Sequence, residues 1–358
     1  MKIAIIGASI AGSATALLFS KASASVSVFE QKAKIEIASK VCANIVTFSF
    51  LKLAKQFGIS PAKVINKKFS IAKFYSQNNS IQLAVEDYEI DRKRLLEELT
   101  KKAQAYGAQF HFNTKFLDIE KTASGYSLIV QKGKRPAKLE GFDYIIGADG
   151  ALSAVAKNAG LLQDRKFWLA IQTKVAKIKR KLNQGSYEIF FKEFGYYSYI
   201  FPSKRHIVVG IVANPEDAKE QFKQFIDFLG IKKCKVEAAL IPLPKRIKFR
   251  KGNIFLAGDA ACQTKFTGGG IVPALKTAFA LKEIIINNKY KAAKDLSMEI
   301  FLHQLISNML GKMSTTDFDK LFKISRKSDM GSRDELRKWI WKFVLRNPCM
   351  FRFLLRLF

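Results

Sequence analysis

The chain has 358 residues, of which 48% are hydrophobic, so it is long enough for about two domains and lacks the composition of a disordered protein. Lysine and arginine together number 61 against 30 aspartates and glutamates, which gives a formal net charge of +31 at pH 7. That excess attracts an anionic partner, which composition alone leaves open as nucleic acid, an anionic membrane or an acidic redox protein.

The N-terminal residues predict a β-α-β unit. An apolar strand over Lys2–Ile6 leads through a glycine turn into a helix over Ser13–Lys21 and a second strand over Ser25–Phe29. The uncharged stretch Ile3–Ser20 has the length of a membrane span. The glycines and small residues in its interior favour strand, turn and helix instead.

After this unit the pattern predicts short strands around one helix. Residues 69–85 alternate about a polar turn and predict a β-hairpin, and Asp91–Tyr106 is a charged amphipathic helix that ends at Gly107. Further short strands are predicted over Ala108–Phe112, Phe116–Glu120, Tyr126–Gln131 and Tyr144–Ile146.

Residues 165–244 differ in character because they are rich in Tyr, Phe, Val and Ile with short turns, which is typical of an antiparallel sheet. A buried strand over Asn253–Ala257 and a helix over Pro273–Ile286 then return to the pattern of the first unit. From about Tyr290 the chain is helical, basic and aromatic. We therefore predict a discontinuous first domain into which the antiparallel region is inserted.

The cysteines and histidines indicate no metal centre. Four cysteines, at 42, 234, 262 and 349, are widely spaced and form no C-x-x-C pair, which argues against a disulfide framework or a zinc site and favours a reducing, cytoplasmic location. The three histidines lie far apart in sequence and lack the spacing of metal ligands.

The turn after the first strand reads Gly7-Ala8-Ser9-Ile10-Ala11-Gly12, a G-x-G-x-x-G pattern with serine as its second glycine. Such a turn brings a pyrophosphate to the free N–H groups of a helix N-terminus. Glu30 ends the second strand, where a carboxylate accepts hydrogen bonds from ribose hydroxyls. The alternative is an ordinary tight β-α turn. The predicted dinucleotide-binding residues here are Gly7, Ser9, Ala11, Gly12 and Glu30.

Three further segments carry a resemblance to a known superfamily. They are Asp149-Gly150-Ala151-Leu152-Ser153-Ala154-Val155, the pair Asp91-Arg92, and Gly258-Asp259-Ala260-Ala261 followed by Gly268-Gly269-Gly270-Ile271. These resemble motifs of the FAD-dependent oxidoreductases that include aromatic hydroxylases and geranylgeranyl reductases. The resemblance implies FAD as cofactor, bound also by Arg92, Asp149, Gly150, Asp259, Gly268, Gly269, Gly270 and Ile271.

Two more segments are similar to segments of geranylgeranyl reductases, and the spacer Cys262–Thr267 resembles the archaeal type of that family. Lys40-Val41-Cys42-Ala43-Asn44 matches the segment in which a cysteine lies close to the flavin. Tyr197-Ser198-Tyr199-Ile200-Phe201-Pro202 resembles the family pattern Y-x-W-x-F-P, with Tyr199 in the tryptophan position. Without the family, this aromatic segment is simply a buried strand.

The implied architecture is an α/β fold with a Rossmann-like FAD-binding domain, an inserted antiparallel β-sheet substrate domain and a C-terminal helical basic segment. The expected boundaries are 1–68, 86–163 and 245–289 for the FAD-binding domain, 69–85 and 164–244 for the substrate domain, and 290–358 for the helical region.

The implied activity is saturation of C=C bonds in geranylgeranyl chains of membrane lipids or prenyl precursors. An unactivated alkene accepts hydride poorly, so an acid must stand on its opposite side. Cys42, Tyr197 and Tyr199 are the catalytic candidates, and the sequence does not choose among them. Phe201 and Pro202 are expected to line an apolar channel for the substrate.

Two alternatives remain open at this point. A group A-type flavin monooxygenase acting on an aromatic or polyprenyl substrate shares the FAD motifs. Nucleic-acid binding would suit the charge, but no recognised nucleic-acid module is present, so no specific nucleic-acid partner is expected. The electron donor is also open among a ferredoxin, a deazaflavin and NAD(P)H, and an acidic ferredoxin would suit the positive surface.

The C-terminal tail has no acidic residue after Glu335. Its cations and aromatic residues predict a basic amphipathic helix, kinked near Pro348, that lies on an anionic membrane surface. We therefore expect a cytoplasmic protein held peripherally on the membrane. The alternative is a helix that packs on the body or on another subunit. The cations of the tail are Arg337, Lys338, Lys342, Arg346, Arg352 and Arg356.

Overall fold

The computed structural model describes residues 1–34 and 41–325. Its strands, in chain order, are β1 (Lys2–Ile6), β2 (Ser25–Phe29), β3 (Ile45–Thr47), β4 (Ile65–Tyr75), β5 (Ser80–Ile90), β6 (Gln109–His111), β7 (Thr114–Thr122), β8 (Gly125–Lys132), β9 (Arg135–Phe142), β10 (Tyr144–Gly147), β11 (Phe167–Val175), β12 (Ser186–Phe191), β13 (Tyr197–Pro202), β14 (Ile207–Ala213), β15 (Val236–Pro242), β16 (Arg250–Lys251) and β17 (Ile254–Leu256).

The helices of the same residues, in chain order, are α1 (Ile10–Lys21), α2 (Ser49–Gln56), α3 (Pro61–Val64), α4 (Arg92–Ala105), α5 (Ala154–Asn158), α6 (Ala218–Phe228), α7 (Ile271–Ile285), α8 (Lys291–Lys312) and α9 (Thr315–Ser325). A single 3₁₀ turn, Gly258–Ala261, lies between β17 and α7.

A six-stranded sheet in the order β16-β17-β10-β1-β2-β6 forms the centre of the first unit. Its strands are parallel apart from the antiparallel edge pair of β16 and β17. Ile3 and Ile5 pack on α1, α4 and α7, whereas Ala4 and Ile6 pack on the opposite face against the three-stranded sheet β7-β8-β9 and α5. Burial on both faces explains why β1 is a continuous apolar run.

A second sheet has eight strands in the order β15-β11-β14-β13-β12-β4-β5-β3. One face is covered by α6, and the other packs in part on α8 and α9. The predicted α/β architecture with an inserted sheet is therefore confirmed. The sheet departs from a purely antiparallel one at β4 and β12, which pair in parallel. These strands come from segments far apart in sequence, so no hairpin dictates their direction.

Several elements differ from the sequence prediction. Helix α1 begins at Ile10, three residues before the predicted start, because Ser9 already acts as its N-cap. Strand β9 was not predicted because it is largely exposed and shows no apolar alternation. Helix α6 lies in the region interpreted as all strand, and its buried Phe222 and Phe225 pack on the sheet.

The predicted domain boundaries at residues 68/69 and 85/86 fall inside β4 and β5, which run unbroken through the eight-stranded sheet. The division into domains stays a prediction. In the described part of the chain, no helix is both long enough and apolar enough to cross a membrane. The predicted amphipathic tail lies outside the described residues.

Candidate active site

A cavity of about 900 Å³ connects the carboxyl ends of β1, β2 and β10 with one face of the eight-stranded sheet. That volume is near the upper end of the usual range for small-molecule sites, roughly 300–1,000 Å³. Sixteen predicted site residues line it: Gly7, Ser9, Ala11, Glu30, Cys42, Arg92, Asp149, Gly150, Tyr197, Tyr199, Phe201, Asp259, Gly268, Gly269, Gly270 and Ile271.

Two predicted site residues lie outside the cavity lining. Gly12 is buried beneath the turn, where an added Cβ would lie 1.8 Å from the Gly7 carbonyl oxygen. It is therefore a packing residue that lets α1 approach β1. Pro202 lies at the end of β13, and its carbonyl oxygen accepts a hydrogen bond from Lys67 Nζ. Both residues support cavity walls without facing the cavity.

The first turn has the shape that a pyrophosphate requires. Gly7 has a φ of +100°, and an added Cβ would lie 2.4 Å from the Ala148 carbonyl oxygen. Ser9 follows in ordinary extended backbone, so the serine at this position causes no strain. The turn ends at the N-terminus of α1, whose free N–H groups and positive dipole favour an anion.

The Ser9 hydroxyl has a specific partner. Arg92 Nη2 donates to Ser9 Oγ at 2.8 Å, and Arg92 is buried at the start of α4. Burial lowers the pKa of the Arg92 guanidinium, while nearby Cys42 and Asp259 raise it. The serine hydroxyl therefore helps to hold a buried cation beside the turn. A glycine at this position would lack that acceptor.

Glu30 is held at the end of β2 by backbone donors. Its Oε2 accepts from the Ala8 N–H at 2.9 Å and its Oε1 from the Lys32 N–H at 2.9 Å. Each carboxylate oxygen has a second lone pair, so the group can still accept hydrogen bonds from two ribose hydroxyls. The arrangement orients the carboxylate before any ligand arrives.

Asp149 lines the cavity and accepts hydrogen bonds from Ser153, the N-cap of the short helix α5, and from its first turn. Its Oδ1 accepts from Ser153 Oγ at 2.6 Å and its Oδ2 from the Val155 N–H at 3.0 Å. Burial raises the pKa of the Asp149 carboxyl, while the hydrogen bonds oppose that rise. The residue thus fixes the loop that carries Gly150, and its direct contact with a cofactor stays a prediction.

Arg165 links the two loops that carry the family motifs, and the sequence analysis missed it. Arg165 Nη1 donates to the Ala151 carbonyl at 3.2 Å and Nη2 to the Ala260 carbonyl at 2.8 Å. Its two acceptors lie in segments far apart in sequence, so no local pattern predicts this contact.

The second glycine-rich loop meets the cavity at the start of α7. Asp259 lies in the 3₁₀ turn that follows β17, and a Cβ added to Gly270 would lie 3.0 Å from Asp259 Oδ1. Gly270 is the N-cap of α7, with Ile271 as the first helical residue. The loop therefore places a carboxylate beside the positive N-terminal end of α7.

The three catalytic candidates share one wall of the cavity, but their hydrogen bonds differ. Tyr197 donates to the Thr267 carbonyl at 2.7 Å, and Tyr199 donates to Gln172 Oε1 at 3.0 Å. Burial raises the pKa of both tyrosines, and the neighbouring Cys42 adds to the rise. Cys42 Sγ accepts from the Asn44 N–H at 3.3 Å, which leaves its S–H able to turn into the cavity.

The remaining walls are apolar and come partly from helices that sequence analysis did not place at the site. Phe201 packs on Tyr199, with ring centroids 5.2 Å apart. Helix α9 is tied to the turn between β4 and β5, where Asp319 accepts from the Asn78 N–H at 3.0 Å. The lining residues of α8 and α9 are Leu302, Leu305, Ile306, Met309, Leu310, Phe318, Leu321 and Phe322.

Comparison with known proteins agrees with this geometry. Residues 1–228 match the family described as FAD binding domain. The chain is 28% identical to a chloroplastic geranylgeranyl diphosphate reductase of Oryza sativa subsp. japonica, over 80% of this chain and 66% of the relative. It is 28% identical to digeranylgeranylglycerophospholipid reductase 3 of Methanosphaera stadtmanae, over 77% of this chain and 74% of the relative.

A solved structure shows the same fold. The geranylgeranyl bacteriochlorophyll reductase-like protein of Thermoplasma acidophilum superposes with a TM-score of 0.82 at 20% identity, covering 100% of this chain and 99% of the other. The prediction of FAD as cofactor is confirmed by the family match. The chain therefore belongs to the FAD binding domain family, and it is an FAD-dependent oxidoreductase similar in sequence to geranylgeranyl reductases.

Proposed function

We propose that this enzyme saturates C=C bonds in geranylgeranyl chains carried by membrane lipids or prenyl precursors. The observation that carries the proposal is one continuous cavity, which joins the dinucleotide turn to an apolar space walled by α8, α9 and the eight-stranded sheet. The named relatives act on a geranylgeranyl diphosphate and a digeranylgeranyl phospholipid, both of which carry such chains. An apolar channel fits that chain better than a small polar substrate.

The residues present fit FAD. The N-terminus of α1 with Arg92 would receive the pyrophosphate, Glu30 the ribose hydroxyls, and the loop before α7 the flavin edge. The Gly7 turn leaves no room for a side chain, as close approach of a phosphate to backbone requires. When bound and reduced, FAD supplies the hydride that adds to one carbon of the alkene.

The protein must supply a proton to the other carbon, and we assign that role to Cys42. Both tyrosines donate their protons to fixed acceptors and have raised pKa values, which makes them poor acids. In the described hydrogen bonds Cys42 Sγ acts only as an acceptor, from the Asn44 N–H, so its S–H proton is not committed to a fixed acceptor. Tyr197 and Tyr199 would then shape the wall that keeps the chain against the reacting face.

The apolar walls would also exclude water from the reacting bond. Phe191, Phe318 and Phe322 pack together where α9 meets the sheet, with Phe191 and Phe318 stacked at a centroid distance of 4.8 Å. Excluding water protects a reduced cofactor and strengthens every electrostatic contact inside the site. The same walls would orient a flexible chain by burying its methyl branches.

Anaerobic turnover tests this function against the monooxygenase alternative. FAD-loaded protein is reduced chemically without oxygen and incubated with geranylgeranyl diphosphate, and the product is analysed by mass spectrometry. We expect a gain of two hydrogens for every double bond reduced. A hydroxylated product formed only with oxygen, with no saturated product in its absence, would contradict the reductase.

We further propose that the enzyme works at the surface of a membrane. The support comes from the sequence after Glu335, which is basic and aromatic without an acidic residue. The full chain should float with liposomes that contain an anionic lipid and release them at high salt. If the chain floats equally well with purely zwitterionic liposomes and salt has no effect, electrostatic binding of the tail to the membrane is contradicted. The electron donor stays open among a ferredoxin, a deazaflavin and NAD(P)H.

A further inference from the structure

Lys265 is a cation inside the cavity, in the spacer that joins the two halves of the second glycine-rich motif. It lies in the loop between the 3₁₀ turn and α7, is half-buried, and lines the cavity beside apolar residues such as Phe266 and Ile271. An ammonium group next to low-dielectric walls acts over a longer range than one in water. Its placement therefore affects any charge that develops in the site.

The stem of Lys265 is fixed against the glycine loop. The Lys265 N–H donates to the Gly269 carbonyl at 2.9 Å, and the Gly268 N–H donates to the Lys265 carbonyl at 2.8 Å. A Cβ added to Gly269 would lie 3.8 Å from Lys265 Cδ. The side chain thus runs along the surface that the proposed function assigns to the flavin edge.

The ammonium end is held from the other side of the cavity. Lys265 Nζ donates to Thr47 Oγ1 at 3.2 Å, and Thr47 Oγ1 lies 3.1 Å from Ser49 Oγ. Both hydroxyls precede or begin α2, so the contact links that helix to the glycine loop. The positive charge of Lys265 also acts on His303. Burial lowers the pKa of His303 to about 3, and the nearby Lys265 charge adds to that shift.

We propose that Lys265 stabilises the negative charge of the reduced flavin and so raises the flavin's midpoint potential. Reduction by two electrons and one proton leaves one negative charge on the ring, which a fixed cation nearby favours. The Asp259 carboxylate beside Gly270 opposes this field, so the lysine also balances a negative group on the same loop. The inference rests on the proposed flavin position and not on the identity of the alkene.

The test compares midpoint potentials of FAD-loaded wild type, Lys265→Met, Lys265→Arg and Lys204→Met, measured by dye equilibration during anaerobic reduction with dithionite. Lys204 is an exposed cation outside the cavity lining, so its variant carries the same change in net charge. We expect Lys265→Met to shift the reduced-to-oxidised ratio about tenfold toward oxidised flavin, or about 30 mV for a two-electron couple. Lys265→Arg should keep most of the wild-type potential.

Sulfite affinity gives a second readout that needs no turnover, because the flavin–sulfite adduct is negatively charged. Lys265→Met should bind sulfite about tenfold more weakly than Lys204→Met, in line with the tenfold shift in potential. A potential and a sulfite affinity equal to those of Lys204→Met would overturn the proposal. Loss of inorganic diphosphate binding with both flavin properties intact would also overturn it, and would assign Lys265 to an anionic substrate group.

Discussion

Replacing Cys42 with alanine is expected to slow alkene reduction by at least about 100-fold, the lower range for loss of a positioned general acid. FAD should remain bound, because the residues assigned to it lie on other elements. The loss of rate is expected from the hydrogen bonds of the cavity wall. The tyrosine hydroxyls donate to Thr267 and Gln172, while the Cys42 thiol is free to turn toward the substrate. Single-turnover reoxidation of the reduced protein by substrate gives the rate.

Controls separate proton transfer from packing. Cys42→Ser keeps the size of the side chain but replaces the thiol by a far weaker acid, so it should be nearly as slow as alanine. Cys234→Ala removes a half-buried thiol that does not line the cavity, and this variant should turn over normally. A Cys42→Ala rate within about threefold of wild type, together with a collapse in Tyr197→Phe or Tyr199→Phe, would move the acid to a tyrosine.

Replacing Gly12 with alanine should abolish FAD binding and strongly destabilise the fold. The new Cβ would lie 1.8 Å from the Gly7 carbonyl oxygen, so α1 must move away from β1 and the pyrophosphate turn must open. Overpacking of a rigid core typically costs 1–3 kcal/mol or more, and here the obstacle is backbone. Thermal unfolding and FAD titration measure the two effects.

Gly311→Ala is the matched control for that substitution. Gly311 lies within α8, and an added Cβ would meet nothing within 4 Å. Alanine is the better helix former by about 1 kcal/mol, so this variant should be as stable as wild type or slightly more so. A Gly12→Ala protein that binds FAD like Gly311→Ala would show that close approach of α1 to β1 is not required.

The sequence predicts the dinucleotide half of the molecule well because its signals are local. An apolar strand, a glycine turn and a helix at Lys2–Lys21 follow from adjacent residues, and β2 with Glu30 completes the unit. The charged helix α4 is likewise predicted from its spacing and its Asp91 cap, whose carboxylate accepts from the Arg94 N–H at 2.9 Å. Each of these depends on neighbours in sequence.

The apolar half of the site depends on contacts between distant segments. Helices α8 and α9 have apolar residues at helical spacing, but the sequence does not say that they cover the sheet face that carries Phe191 and Phe201. Asp319 joins α9 to Asn78, a contact across most of the chain that no local pattern predicts. The parallel pairing of β4 with β12 is unpredictable for the same reason.

The sequence also does not predict which of the three candidates donates the proton. The family resemblance names a thiol and two phenols as candidates, but the role of each depends on which acceptor its proton faces. Tyr199 on β13 reaches across Gly210 of β14 to Gln172 on β11, and a Cβ added to Gly210 would lie 2.4 Å from the Tyr199 hydroxyl oxygen. Only folding brings that glycine, that amide and that phenol together.

The most direct measurement is a substrate titration of chemically reduced, FAD-loaded protein without oxygen. Limiting amounts of geranylgeranyl diphosphate are added, and flavin reoxidation and saturated double bonds are counted in the same sample. The account predicts one double bond saturated for each flavin reoxidised. On the same timescale, the Cys42→Ala variant should show neither flavin reoxidation nor saturated product. Flavin that stays reduced in the presence of excess isoprenoid substrate, whether diphosphate or phospholipid, would contradict it.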